Sequence, residues 1–170
     1  MNGWIFIDKP KNITSFKVIK RLKKILNIKK IGHTGTLDPF ATGILAIALG
    51  EATKSIHYLK QNKVYRFNVV FGELKDTDDI TGKTMNKSNF VPTLAEIDQY
   101  IGKFIGKHTQ VPPQFSAVKV NGKRAYKLAR NNQKFELKAK DVFIKSIECL
   151  GAKNKNEYSF IMECSTGTYV

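Results

Sequence analysis

Gly32-His33-Thr34-Gly35-Thr36-Leu37-Asp38-Pro39-Phe40-Ala41-Thr42-Gly43 lies within a stretch, 28–43, that has no hydrophobic period although it separates two well-patterned elements. Gly32, Gly35, Pro39 and Gly43 interrupt regular structure, so the segment reads as a loop with a purpose. Its glycines permit tight turns and a close approach of a ligand to the backbone. Pro39 fixes φ directly after Asp38 and limits how the carboxylate can move. An isolated Asp-Pro in a turn often serves local hydrogen bonding alone. The density of special residues around Asp38 favours a pre-positioned acid instead.

Working outward, residues 3–8 read as a short strand that Lys9-Pro10 stops, because proline cannot continue a ladder. Thr14 or Ser15 then offers an N-cap. Phe16, Ile19, Leu22 and Leu26 recur at helical spacing and predict a buried face, while Lys17, Lys20, Arg21 and Lys24 form a basic one. Beyond the loop, 44–49 is a continuous apolar run of the kind found in buried strands, and 51–60 suggests a short helix. Over 64–71 the alternation puts Tyr65, Phe67, Val69 and Phe71 on one face, a pattern that by itself makes Tyr65 a core aromatic.

Residues 73–92 are polar and rich in turn formers. Thr93 with Glu96 fits a capping box that opens a helix running to about Phe104, with Leu94, Ile97 and Ile101 on one face. After Val111-Pro112-Pro113 the pattern predicts a strand over 115–120, a turn at Asn121-Gly122 and a short basic helix over 126–130. Strands near 141–150 and 158–164 follow. There is no internal repeat and no low-complexity linker, so the elements are expected to form one α+β domain around a mixed sheet.

The 170 residues suffice for one substantial core, and 42% hydrophobic with 25% charged residues is an ordinary globular balance. Lys and Arg number 29 against 14 Asp and Glu, a net charge of +15 that favours a polyanionic partner such as nucleic acid. An anionic membrane surface would meet the same charge. No apolar run is long enough to cross a bilayer, and the N-terminal residues lack a signal-peptide pattern, which predicts a cytoplasmic protein. Cys149 and Cys164 are far apart and without His partners at zinc spacing, as expected of buried thiols.

Several familiar motifs fail on inspection. Gly82-Lys83-Thr84 ends like a phosphate-binding loop, but Thr77 stands where the first glycine belongs. Asp76-Thr77-Asp78-Asp79 begins like a calcium loop, yet Ile80, Thr81 and Lys87 occupy positions that need an acid, a glycine and a bidentate Glu. Gly32-His33-Thr34-Gly35 matches a G-x-x-G RNA clamp, but that clamp leads directly into a helix and Pro39 interrupts this one.

Taken together, 32–43, Asp8-Lys9-Pro10, Lys63-Val64-Tyr65 with Phe71-Gly72, Pro112-Pro113-Gln114-Phe115-Ser116-Ala117, the basic run 122–130 and Cys164-Ser165-Thr166-Gly167-Thr168-Tyr169 resemble the TruB family of bacterial tRNA pseudouridine synthases. The matches run through the chain in order, and the loop 32–39 is the most specific of them.

The resemblance implies a pseudouridine synthase fold with a largely antiparallel sheet flanked by helices, and a thumb-like insert over about 112–140. It implies Asp38 as the catalytic carboxylate and Tyr65 as the aromatic that stacks on the target base. His33, Gly35, Thr36 and Tyr169 would line the RNA site, and Lys9 and Pro10 would shape its floor. The implied substrate is the T-arm stem-loop of tRNA, isomerised at uridine 55 by base flipping in a monomer, with neither cofactor nor metal. Lys75 departs from the family, which usually has threonine there. The family motif also continues past Tyr169 to an arginine that pairs with the catalytic carboxylate. That arginine and a small RNA-binding domain are expected to lie beyond Val170. The competing classes are a non-catalytic RNA-binding or chaperone module, which leaves Asp38-Pro39 without a task, and a nucleotide hydrolase, which lacks its motifs here.

Overall fold

The run of large apolar residues from Trp4 to Ile7 forms a strand, and the computed structural model, which describes residues 1–59 and 62–170, extends it over β1 (Gly3–Lys9). Two compact units make up the chain, Met1–Lys60 and Gln61–Val170, each with its own core, where the sequence suggested a single domain.

In the first unit β1 is followed by α1 (Ser15–Ile25), β2 (Ile31–His33), β3 (Gly43–Leu49) and a 3-10 helix, Gly50–Tyr58. The expected helix end at Lys60 falls outside the described residues. The sheet has the order β1-β3-β2 and is antiparallel throughout, with Gly3 opposite Leu49 and Lys9 opposite Gly43. Gly43 holds φ +138, a value that side chains with a Cβ rarely adopt, and so permits the chain to leave the loop directly into β3. Thr14 is the N-cap of α1, its hydroxyl accepting from the Lys17 N–H at 3.0 Å, and Lys23 and Lys24 suit the helix C-terminus. Ile13, Val18, Leu45, Ile47 and Leu49 form the buried core, with Ile19, Leu22 and Leu26 packed on it. Each such side chain contributes about 1.5–3 kcal/mol by leaving water.

Two expectations change here. Phe16 is 72% exposed rather than inward, because the buried stripe of α1 runs through Ser15, Val18, Ile19, Leu22 and Leu26, and Phe16 is rotated away from it. The stretch 28–43 is also not all loop, since Ile31–His33 adds a short strand to β3.

The second unit carries β4 (Lys63–Val70), β5 (Glu73–Lys75), β6 (Thr84–Lys87), α2 (Leu94–Ile101), a 3-10 turn Gly102–Phe104, β7 (Gly106–Gln110), β8 (Lys119–Val120), β9 (Lys123–Arg124), α3 (Ala125–Arg130), β10 (Lys140–Asn154) and β11 (Glu157–Cys164). The main sheet has the order β4-β11-β10-β7, and every ladder among the described residues is antiparallel. Phe67 stacks on its cross-strand partner Phe160 at 5.6 Å, and the Tyr158 hydroxyl donates to the Pro92 carbonyl at 3.0 Å. α2 has the expected capping box, with Thr93 and Glu96 bonded reciprocally. The Asn121-Gly122 turn is present, both residues at positive φ, but the strand before it is only β8 and not the whole of 115–120. The polar stretch 73–92 includes the hairpin β5–β6, and β7 is a strand the pattern did not disclose.

Candidate active site

The connection from β1 to α1 forms a cradle under the Asp38 loop. Lys9 is completely buried at the end of β1, and its ammonium donates to the carbonyls of Ile13 at 2.8 Å, Pro10 at 3.0 Å and Pro39 at 3.4 Å. A lysine has three protons to give, and all three are used on backbone oxygen. Burial lowers the pKa of this amine, and the Asp38 carboxylate opposes that trend. Asn12, at φ +63, turns its N–H onto the Pro39 carbonyl at 2.7 Å, so two groups hold that oxygen. Pro10 itself is exposed beside them.

The other flank of Asp38 is held from α1. The Ser15 hydroxyl, 1% exposed, donates to the Leu37 carbonyl at 3.1 Å and accepts from the Leu37 N–H at 3.0 Å. The Asp38 carbonyl accepts from the Ala41 N–H at 3.1 Å, which closes a turn over 38–41. Asp38 is exposed and sits in a fixed bend, with anchored residues on either side.

His33 ends β2, and its Nδ1 lies 2.5 Å from the Gly35 carbonyl. A carbonyl only accepts, so Nδ1 carries a proton and Nε2 is left for a ligand. A Cβ on Gly35 would meet nothing within 4 Å, which leaves open space at its backbone for a ligand. Gly32 answers a packing need instead, since a Cβ there would come within 2.9 Å of Ile56. Thr36 is exposed next to Gly35. Lys9, Pro10, His33, Gly35, Thr36 and Asp38 therefore share one unit.

Tyr65 and Tyr169 belong to the other unit. Tyr65 is half-buried on β4, paired across the ladder with Met162 and packed on the cluster of Ile144, Met162 and Cys164. Part of its ring therefore acts as the core aromatic that the alternation predicted. Tyr169 is held by Gln110 at the end of β7, whose Nε2 donates to the Tyr169 carbonyl at 2.7 Å and whose Oε1 accepts from the Tyr169 N–H at 2.9 Å. In the expected insert a concavity of about 440 Å³ is lined by Lys119, Lys123, Arg124 and Lys127, a cluster of cations suited to phosphate.

Asn12 and Gln110 were not singled out in the sequence, and Ser15 was considered only as an alternative N-cap to Thr14. For Ser15 a signal existed: with Thr14 acting as the cap, a second hydroxyl heads the apolar stripe of α1 and needs a partner inside. The calcium-like run proves to be a self-closed loop. Asp79 Oδ1 accepts from the Thr77 hydroxyl and from the Thr81 N–H, both at 2.8 Å, and a Cβ on Gly82 would strike Thr77 at 2.3 Å. Among the described residues no group of three or more His, Cys, Asp or Glu is arranged to hold a metal ion, and no helix is long and apolar enough to cross a membrane.

These elements define a pseudouridine synthase type of domain, and comparison with known proteins agrees. The model of the TruB family pseudouridylate synthase N-terminal domain matches residues 23–170, and the chain belongs to that family. It is 50% identical to tRNA pseudouridine synthase B of Ehrlichia ruminantium, covering 100% of this chain and 58% of that protein. It is 43% identical to the same-named protein of Brucella anthropi, covering 53% of it. The chain thus spans somewhat more than half the length of these relatives. Among solved structures it resembles a chain of a Cbf5-Nop10-Gar1 complex, with 29% identity and a TM-score of 0.69 over 99% of this chain and 41% of that one. A chain of an H/ACA RNP bound to a substrate RNA containing 2′-deoxyuridine gives 25% identity and a TM-score of 0.64.

Proposed function

We propose that this chain carries the catalytic machinery of a tRNA pseudouridine synthase that isomerises the T-loop uridine at position 55, with Asp38 as its carboxylate. The reading draws support from the family, from the naming of the relatives as tRNA pseudouridine synthase B, and above all from one observation: Asp38 is the exposed acid on a loop anchored on both sides of it.

The reaction breaks the bond from ribose C1′ to uracil N1, turns the base and joins C1′ to C5. The proton on C5 leaves and N1 gains one, so there is no net oxidation and no hydrolysis. A single carboxylate serves either route to the detached base, by attack on C1′ or by removal of the 2′-proton. A uridine in a folded RNA loop must be swung out of its stack first, and the Tyr65 ring recovers part of the lost stacking energy. His33 Nε2 and the open backbone at Gly35 receive the extruded nucleotide, while the cations of the insert hold phosphates and give binding that weakens with salt.

The test is conversion of uridine in a tRNA transcript, read as carbodiimide adducts on pseudouridine. Asp38→Asn is expected to lower turnover by roughly 10³-fold or more while RNA affinity changes little. Binding without conversion by a chain extended through the expected arginine would favour the non-catalytic RNA-binding reading.

A further inference from the structure

Thr14 already caps α1 through the Lys17 N–H, so the Ser15 hydroxyl has no helical task, yet it is almost wholly buried. Both of its hydrogen-bonding capacities go to one residue, Leu37, 22 positions along the chain. Leu37 lies between the end of β2 at His33 and the start of β3 at Gly43, where no ladder orients its peptide groups. A lone hydroxyl oxygen supplies what a neighbouring strand would otherwise supply.

We propose that Ser15 is the positioning residue of the Asp38 bend, holding both backbone groups of Leu37 so that the carboxylate points one way before substrate arrives. This rests on the assignment of Asp38 as the reacting acid. The peptide joining Leu37 to Asp38 is oriented by the Ser15 bond to the Leu37 carbonyl. The Pro39 carbonyl on the other side is oriented by the Asn12 N–H and the Lys9 ammonium. With both flanks anchored, the backbone at Asp38 has little freedom left. Remove the Ser15 oxygen and only the Pro39 side is held, so the carboxylate samples directions that miss the sugar. Errors of about 1 Å in such placement cost on the order of 10²-fold in rate.

The experiment compares the 170-residue chain with Ser15→Ala, and with Ser15→Cys, which keeps the shape of the side chain in a somewhat larger form but is a weak hydrogen-bonding group. Two readouts are taken from each: kcat and KM on the tRNA transcript, and amide hydrogen exchange at Leu37 and along β1 and β3. The expected result is a kcat lower by about 10- to 100-fold with KM within about 3-fold, as misplacement of a reacting group implies. Exchange at Leu37 is expected to quicken by at least about 10-fold while β1 and β3 stay protected. Unchanged kcat, or a loss carried entirely by KM, would overturn the proposal. Unchanged protection at Leu37 would overturn it too, and that readout needs no turnover. If the unaltered chain converts no uridine, the kinetic comparison is made in a chain extended through the expected arginine, and exchange at Leu37 independently decides whether Ser15 holds the bend.

Discussion

Ser15 in the first unit and Gln110 in the second do the same thing by different means. Each side chain binds both the N–H and the C=O of a single residue, Leu37 in one case and Tyr169 in the other. Ser15 does it with one atom from the rigid first turn of a helix, at a site closed to water. Gln110 does it with the two ends of a carboxamide from the last residue of a strand, where it imitates a further rung of the ladder. The difference lies in tolerance. A carboxamide at the end of flexible torsions follows small movements of its target, whereas a single buried oxygen accepts only a narrow range of positions. A short, buried anchor suits a residue next to a reacting group; a longer one suits a segment that must only be kept in line.

The contrast can be pressed from both sides. Lys9→Met should have the largest effect on stability. It keeps the length of the side chain but removes the ammonium from the Ile13, Pro10 and Pro39 carbonyls. The Pro39 carbonyl keeps the Asn12 N–H and Pro10 is exposed, so most of the cost, about 1–3 kcal/mol, comes from the buried Ile13 carbonyl. Denaturant unfolding should show a total loss of about 3 kcal/mol, and a loss below about 1 kcal/mol would mean that water replaces the amine readily. Gln110→Glu retains the acceptor for the Tyr169 N–H and removes the donor to its carbonyl. About 1 kcal/mol is expected, with faster amide exchange confined to the end of β7 and the segment after β11. Equal losses in the two variants would contradict the ranking of the buried ammonium over the strand-end carboxamide.

A third measurement concerns anchoring that depends on charge. Burial alone would raise the Asp79 carboxyl, but hydrogen bonds from the Thr81 and Thr77 side chains and from the Thr81 and Gly82 backbone bring its pKa below the ordinary carboxylate value. The native fold therefore favours the ionised form. The stabilisation is complete above the ordinary Asp pKa of about 3.9 and disappears as pH falls through the lower native value. Amide exchange at Thr81, corrected for intrinsic rates, should rise only in that acid range, a small and local effect. Loosening of this loop between about pH 5 and 7 would contradict the assignment.

Much of this arrangement was legible in the residues themselves. The strand and helix on either side of the loop, the capping box at Thr93 and Glu96, the alternation of β4 and the Asn121-Gly122 turn all express local rules, and local rules can be read along a line. What escaped depended on partners far away in sequence. Phe16 has the right spacing for a core position, but a polar residue with a bond to make 22 positions away sits at the head of the buried face. β2 is three residues long and becomes a strand through its pairing with β3, while β5 and β6 carry one apolar residue each, Leu74 and Met85, too few to make a pattern. In the site, Asp38 announced itself through its glycines and proline. The groups that hold its flanks carry ordinary side chains and, apart from Ser15 at the head of an apolar stripe, are recognisable only once their hydrogen bonds are known.

The length of β10 has a consequence of its own. Over fifteen residues it pairs with β11 along most of one side, but β7 meets only Lys140–Ile144 on the other. A straight strand with that much open backbone would recruit another chain and seed precipitation. The register slips between Ile144 and Ser146, again between Cys149 and Gly151, and once more between Ala152 and Asn154. Each slip adds twist and spoils the regular spacing that a visiting strand would need. With Lys145 and Lys153 set along the same stretch, the irregularities let a long strand reach across its sheet without becoming a template for aggregation.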